Sequence, residues 1–310
     1  MTMDANHLTY LLAIARTGSF SRAAIELGQS QPTLSNNIAI LEKRLGVKVL
    51  ERSKRGSTLT PHGEILVRRA KGLASILDDA VSEVRNSELG IHGPLRIGAT
   101  PSTFPALIPL ALTMMGPMLN SASIELIEDL DHALAPQLLS GRFDMIVGPV
   151  FEQFMSNDTV TETEVMRDPF CIGVSKDSIF VNKKSINLVD ILNENWILPL
   201  EGSTYRRHIE SMFINQGVDW PKKAIYANSL PLIEALVTSG RCVTFVSPLQ
   251  LRRPYPKIKL IEIINGASRK VGYKVRKNDQ LSPLALKFIE CLEAAGLQLK
   301  QEFSDIGLCA

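Results

Sequence analysis

The chain has 310 residues, 45% of them hydrophobic and 21% charged, which suits two or three ordinary domains with apolar cores and excludes a disordered chain. The 34 basic and 32 acidic residues nearly cancel, but residues 1–72 hold 11 Lys and Arg against 5 Asp and Glu, and the remainder 23 against 27. A basic first quarter on a mildly acidic body points to a polyanion-binding module joined to something else.

His7 to Arg16 places Leu8, Leu11, Leu12 and Ala15 on one face and ends at Gly18, so it reads as a first helix. Ser19 or Ser21 caps a second, Arg22 to Leu27, which stops at Gly28. A third begins within a few residues. Ser30 is its N-cap and Pro32 sits in its first turn, where a missing N–H costs little. Leu34, Ile38, Leu41 and Leu45 form one apolar stripe, and Gly46 ends the helix. Its other face, with the entry turn, carries Gln29, Gln31, Thr33, Ser35, Asn36, Asn37 and Lys43. Amides and hydroxyls at a helix start can read base edges in a major groove, and two short helices across a tight turn make a helix-turn-helix.

Val47, Val49 and Leu50, a turn through Arg52, Lys54, Arg55 and Gly56, and a return along Ser57 to Thr60 form an expected β-hairpin wing with a basic tip for phosphates or a minor groove. Thr60 caps the next helix, with Pro61 first in it. Leu66, Ala70, Leu73, Leu77, Ala80 and Val84 follow at alternating spacings of four and three, an a/d seam expected to pair two copies. Gly90 to Gly93 then breaks the chain as a linker.

The run from Ser19 to Glu64 resembles the N-terminal signature of the LysR-type transcriptional regulators. Ser19-Phe20, Ala23-Ala24, Leu27, Ser30-Gln31-Pro32, Leu34-Ser35, Leu41-Glu42, Leu45-Gly46, Glu51-Arg52, Leu59-Thr60-Pro61 and Gly63 all fall in that family's pattern. The resemblance implies that Gln31, Pro32 and Ser35 touch the major groove, and that wing residues such as Arg55 touch the minor groove or backbone. The position after Ser35 is often arginine in the family and is Asn36 here. Asparagine pairs bidentately with adenine, so an A·T preference is expected at that contact.

From Pro94 strands and helices alternate, which predicts a parallel α/β sheet with crossover helices. Strands are expected at Leu95–Ala99, Ser123–Ile127, Asp144–Val147, Phe170–Ser175, Trp196–Leu198, Val243–Val246 and Lys270–Val275. Helices are expected from Thr100 towards Met118, then at Leu130–Ser140, Arg206–Asn215, Leu230–Thr238 and Pro283–Ala295. This body resembles the family's effector domain, which has the two-lobed fold of type 2 periplasmic binding proteins. Three parts are therefore expected: a mainly-α winged helix-turn-helix at 1–60, a linker and dimerisation helix at 61–90, and an α/β effector domain at 91–310. Lobe I of that domain would take about 92–162 and 268–300, and lobe II about 163–267.

Ligands in such folds sit at strand ends against helix N-termini. Two hydroxyl-rich helix starts qualify, Thr100-Pro101-Ser102-Thr103 and Gly202-Ser203-Thr204-Tyr205-Arg206. Pro149 and Asn228 with Ser229 are secondary candidates, and Phe245 could supply an apolar wall. These clusters suit a carboxylate or a polyol, so a sugar or an organic acid is the expected effector. The second cluster is similar to that of sugar-responsive members, regulators of a galactose-binding protein.

Other chemistries find little support. His7, His62, His92, His132 and His208 show no metal spacing, and Cys171, Cys242, Cys291 and Cys309 no C-x-x-C pair. No nucleophile elbow, P-loop or dinucleotide fingerprint appears. The acidic run Glu128, Asp129 and Asp131 reads as a solvated loop. Neither an enzyme nor a cofactor is expected. The opening residues show no signal-peptide pattern, and the longest apolar run, Ala106 to Leu119, is broken by Pro109, Gly116 and Pro117, so a cytoplasmic protein without membrane contact is expected. The resemblance implies promoter DNA and a small-molecule effector as partners, a homodimer or a homotetramer of two dimers, and RNA polymerase as a further candidate partner. The competing reading is a solute-binding module whose N-terminal helices serve protein assembly alone.

Overall fold

The computed structural model describes residues 4–53, 56–88, 92–150, 159–251, 258–277, 279–305 and 307. Two compact units result, residues 1–85 with the segment 139–142, and the rest.

The first unit comprises α1 (Ala5–Thr17), α2 (Phe20–Glu26), α3 (Gln31–Leu45), β1 (Leu50–Ser53), β2 (Gly56–Leu59) and α4 (Pro61–Glu88). Side chains start the helices: Asp4, Ser19 and Ser30 accept from the N–H groups of Asn6, Arg22 and Thr33. Leu11 and Ile14 of α1, Ala23 of α2, and Leu34, Ile38 and Leu41 of α3 close one core. Each large side chain there contributes about 1.5–3 kcal/mol by leaving water. Leu45 does not join them. It is 40% exposed, as the last residue of α3.

Glu42 of α3 ties down the strand that follows. Its carboxylate accepts from the N–H groups of Val49 (3.0 Å) and Leu50 (3.3 Å) and pairs with Lys48 (2.6 Å). Thr60 does the same for α4, donating to the Lys48 carbonyl (2.7 Å) and accepting from Gly63 N–H (3.1 Å). Gly63 is demanded by that approach, because a Cβ there would lie 2.1 Å from the Val49 carbonyl oxygen. Along α4, Ala70 is buried and Leu66 and Leu73 half-buried, but Leu77, Ala80 and Val84 are exposed.

The second unit runs β3 (His92–Ala99), α5 (Leu107–Met114), β4 (Ala122–Glu128), α6 (Asp131–Leu139), β5 (Met145–Pro149), β6 (Val160–Pro169), β7 (Cys171–Ser175), β8 (Ser185–Ile186), β9 (Trp196–Leu198), α7 (Thr204–Asn215), β10 (Ala224–Tyr226), α8 (Leu230–Thr238), β11 (Val243–Val246), β12 (Ile258–Ile263), β13 (Ser268–Arg276) and α9 (Pro283–Asp305). Two sheets form, in the orders β4-β3-β5-β13-β6 and β10-β9-β11-β7-β12-β8. The alternation predicted a parallel sheet, but neither sheet is wholly parallel. β13 runs antiparallel to β5 and β6, and β7 antiparallel to β11 and β12, because the chain passes between the sheets and returns. The expected helix from Thr100 is also interrupted. Pro105 has no N–H to donate to the turn before it, so Pro101–Thr103 is a short 3-10 turn and α5 starts at Leu107.

The first sheet packs Leu95, Ile97 and Val147 against Leu107 and Ala111 of α5 and Phe288 and Leu292 of α9. The second centres on aromatic rings, with Trp196 and Phe245 5.3 Å apart and Phe213 5.6 Å from Phe245. The two crossings lie side by side: Phe170 N–H donates to the Ala267 carbonyl (3.0 Å), and Asp168 stands opposite Arg269.

Candidate functional site

The start of α3 is open to solvent. Gln29, Ser30, Gln31, Pro32 and Asn36 are exposed, Thr33 and Ser35 partly so, and Lys43 is exposed further along. Ser30 and Thr33 hydroxyls lie 2.7 Å apart, and Gln31 accepts from Ser21 of α2 (3.3 Å). Asn37 is spent within its own helix, donating to the Thr33 carbonyl (2.9 Å). A row of exposed polar side chains, backed by the Leu34, Ile38 and Leu41 stripe, is a face that can enter a groove. In the wing, β1 and β2 pair antiparallel with Leu50 opposite Leu59. Arg52 lies on β1, while Lys54 and Arg55 fall outside the described residues.

A cavity of about 370 Å³ opens in the second unit, with walls from both sheets. Thr100, Pro101, Ser102 and Pro149 line it from the first. Gly202, Ser203, Thr204, Asn228 and Phe245 line it from the second. The sequence-predicted residues therefore come together, except Thr103, Arg206 and Ser229, which are not on the wall. Thr103 is fully buried, its hydroxyl donates to the Thr100 carbonyl (2.9 Å), and it does not reach the wall. Gly148 makes room for this turn, since a Cβ there would stand 2.8 Å from the Thr100 methyl. Arg206, beside the second cluster, turns away: it binds Glu210 (2.6 Å) and the Pro199 carbonyl (3.0 Å) and stacks 4.0 Å over Trp220.

Sequence reasoning missed the floor of the cavity. Arg269 donates twice to Asp168 Oδ2 (2.9 and 2.6 Å) and once to Ser247 (3.1 Å), while Asp168 Oδ1 accepts from Leu249 N–H (3.3 Å). Asp168 is fully buried and Arg269 4% exposed. Tyr205, whose ring lies 5.1 Å from the Arg269 guanidinium, donates to Gln250 Oε1 (2.7 Å), which also accepts from Ser247 N–H (2.8 Å). Burial raises the Tyr205 phenol well above its ordinary range, so it stays a donor. Arg269, Gln250 and Tyr205 thus join the cavity wall to both crossing segments. Asp131, read as part of a solvated run, also lines the cavity. Burial raises its carboxyl, against the pull of Lys274, the Thr204 hydroxyl and Arg269.

No group of three His, Cys, Asp or Glu among the described residues is arranged to hold a metal, and no described helix is long and apolar enough to cross a membrane.

An exposed polar helix start in a helix-turn-helix and a cavity between two sheets suit a DNA-binding protein with a ligand domain. Comparison with known proteins places it further. The pattern described as "Bacterial regulatory helix-turn-helix protein, lysR family" matches residues 5–64, and "LysR substrate binding domain" matches residues 89–296. The "DNA-binding transcriptional dual regulator OxyR" of Escherichia coli (strain K12) is 26% identical over 310 residues, covering 98% of each chain. A "Hydrogen peroxide-inducible genes activator" of Pectobacterium carotovorum subsp. carotovorum is 28% identical over 254 residues, covering 81% of this chain and 82% of its own. The crystal structure of full-length CbnR with its target DNA shares the fold at a TM-score of 0.66 and 20% identity, covering 94% of this chain and all of that one. The chain belongs to the LysR family and is a DNA-binding transcriptional regulator with an effector-binding domain. Regulators of this family bind promoter DNA, answer to small-molecule effectors and form oligomers.

Proposed function

We propose that this regulator reads promoter DNA with the start of α3 and its wing, and holds its effector in the cavity between the two sheets. The observation that carries the reading is that cavity, on which hydroxyl-bearing turns from both sheets converge. DNA contacts fall to Gln29, Ser30, Gln31, Pro32, Thr33, Ser35, Asn36 and Lys43, with Arg52, Lys54 and Arg55 on the wing. Effector contacts fall to Thr100, Pro101, Ser102, Pro149, Gly202, Ser203, Thr204, Asn228 and Phe245. The DNA-binding part takes 1–60, the linker helix 61–90 and the effector domain 91–310. The protein works in the cytoplasm and catalyses no reaction. The exposed half of the α4 seam pairs two copies, which sets two α3 helices about 34–36 Å apart on an interrupted inverted repeat. An effector that binds one arrangement of the lobes better than another then shifts the regulator between states.

Binding-site selection with the full chain should return such a repeat, with affinity that falls steeply with salt as counterions are released. Leu73→Asp with Leu77→Asp should abolish dimers and operator binding together. Retained operator affinity in that double variant would contradict the pairing. Salt-insensitive, sequence-indifferent binding would contradict the DNA reading.

The hydrogen peroxide in relatives' names is not carried over to this chain. Cys171 is fully buried and its thiol is pushed up to about 12 by burial, then by Asp168 and Glu262. Burial also raises Cys242 against the pull of Arg241. A reactive thiol needs the opposite shift. Val246 stands opposite Cys171 and Thr244 opposite Gly173, so Cys242 lies four residues along the ladder from Cys171's partner. At about 3.3 Å per residue that is roughly 13 Å, well beyond a disulfide's reach. Cys309 lies outside the described residues. Cys171→Ser and Cys242→Ser should leave the regulatory response unchanged.

A further inference from the structure

We infer that the effector is a small monocarboxylate with an apolar body, its carboxylate taking the hydroxyl protons of Ser102 and Ser203. The inference rests on reading the cavity as the effector site and narrows what that site accepts.

Three observations converge on it. The first is a pair of buried donors. Ser102 is 5% exposed and Ser203 7%. The Ser203 oxygen accepts from Arg206 N–H (3.1 Å), and no acceptor among the described residues takes its proton. Thr100 and Ser102 hydroxyls lie 3.3 Å apart, so one of their two protons serves that pair and the other is left over. Buried polar groups are rarely left unmatched, and a carboxylate offers about four acceptor sites on two oxygens.

The second is charge. The two less exposed cations at the wall are already matched: Arg269 is held by Asp168 at 2.6 Å, and Lys274 stands 3.7 Å from Glu162. Arg207, exposed, donates to the Thr204 hydroxyl (3.0 Å), which lies beside Asp131. His132 is exposed. The helix starts of α7 and α8 add positive dipole ends, enough to favour one negative charge. A second carboxylate would find only Arg207, whose exposure to water weakens its pull, and would meet Asp131.

The third is the remaining wall. Pro101, Pro149, Pro199, Ile233, Phe245 and Val246 are apolar. The 370 Å³ volume equals the liquid share of roughly a dozen waters, which suits one ring or a branched chain. A sugar carries hydroxyls on every side, and those turned towards these six apolar residues would be left unbonded.

The test is titration of the full-length protein by calorimetry and thermal melting. The probes are phenylacetate and 4-methylpentanoate, set against phenylacetamide, adipate and galactose. Both monocarboxylates should raise Tm with concentration, and the three controls should bind at least about tenfold more weakly. Ser102→Ala and Ser203→Gly should each weaken the monocarboxylates about tenfold, the expected loss of one hydrogen bond to a charged group. Glycine keeps most of the α7 N-cap, so the second variant tests binding rather than folding. Adipate or galactose binding as tightly as the monocarboxylates, and weakened by the same variants, would overturn the ligand class while leaving the cavity as effector site. Absence of any monocarboxylate shift would overturn the class as well. Binding undiminished in both serine variants and in Phe245→Ala would overturn the cavity reading itself.

Discussion

The two surfaces to which we assign DNA and effector binding are built in opposite ways. The start of α3 is a contiguous stretch whose polar side chains stand in solvent, with only its Leu34, Ile38 and Leu41 face buried. The cavity of the second unit is gathered from segments as far apart as Thr100 and Lys274, and its key hydroxyls are buried. The difference follows from the partners. A polyanionic duplex is reached by an outward face and long-range charge attraction. A small ligand must be desolvated on several sides, so its site needs walls that only distant chain segments can supply. The first surface should therefore fail through its own local supports, and the second through the contacts that hold its segments together.

The largest effect should come from the floor of the cavity. Asp168→Ala leaves Arg269 buried without its partner, which costs about 3–5 kcal/mol. Both tryptophans, Trp196 and Trp220, lie in the second unit, so urea unfolding followed by tryptophan fluorescence reports on it alone. That transition should move sharply to lower urea. Leu34→Ala should cost about 2–5 kcal/mol in the first unit. Helical circular dichroism should register the loss and DNA affinity should collapse, while the tryptophan transition stays in place. A tryptophan transition that moves equally in both variants would show that the two surfaces do not rest on separate supports.

The same contrast decides what could be read from the sequence. Ser30, Pro32 and the stripe through Leu41 lie within a dozen positions, so capping and periodicity expose the helix directly. Leu45 continues the period, but only the packed structure shows that it stays 40% exposed. Ser102 and Ser203 were visible as hydroxyls ahead of helices. Thr103 has the same signature, and only the turn geometry sends its hydroxyl to the Thr100 carbonyl. Lys274 is a polar position of the strand expected at Lys270–Val275 and Arg269 lies just before it, and the register of β13 against β6 is what brings Asp168 to face Arg269. Asp131 looked solvated because burial is a tertiary property. Strands as short as β8 and β10 carry too few residues for an alternating pattern to show.

A smaller effect tests base reading at the exposed face. Asn36→Ala should relax sequence preference at one position of each half-site, at about 1–3 kcal/mol of discrimination, while general affinity and its salt slope change little. Selection with the wild-type chain should return A·T there. Guanine at that base, unchanged in the variant, would remove the contact.

The smallest effect concerns how α3 holds its wing. Burial tends to raise the Glu42 carboxyl, but hydrogen bonds from Lys48 and from the Val49 and Leu50 N–H groups outweigh it and hold the carboxyl below its usual value of 4.5. A carboxyl lowered on folding stabilises the fold fully above its unfolded value, and that contribution fades as pH falls through the lower folded value. Glu42→Gln keeps an acceptor oxygen for the two N–H groups but turns a neutral amide NH2 towards Lys48 in place of Oε2, so it loses the ion pair and should cost about 1 kcal/mol at neutral pH. The gap between wild type and variant should begin to narrow as pH drops below about 4.5 and close only once pH has passed the lower folded value, where both side chains are neutral. Measured by helical circular dichroism, a gap that stays constant through the acid range would mean that the wing is held by its neutral hydrogen bonds and the Leu50 and Leu59 pairing, not by the Glu42 charge.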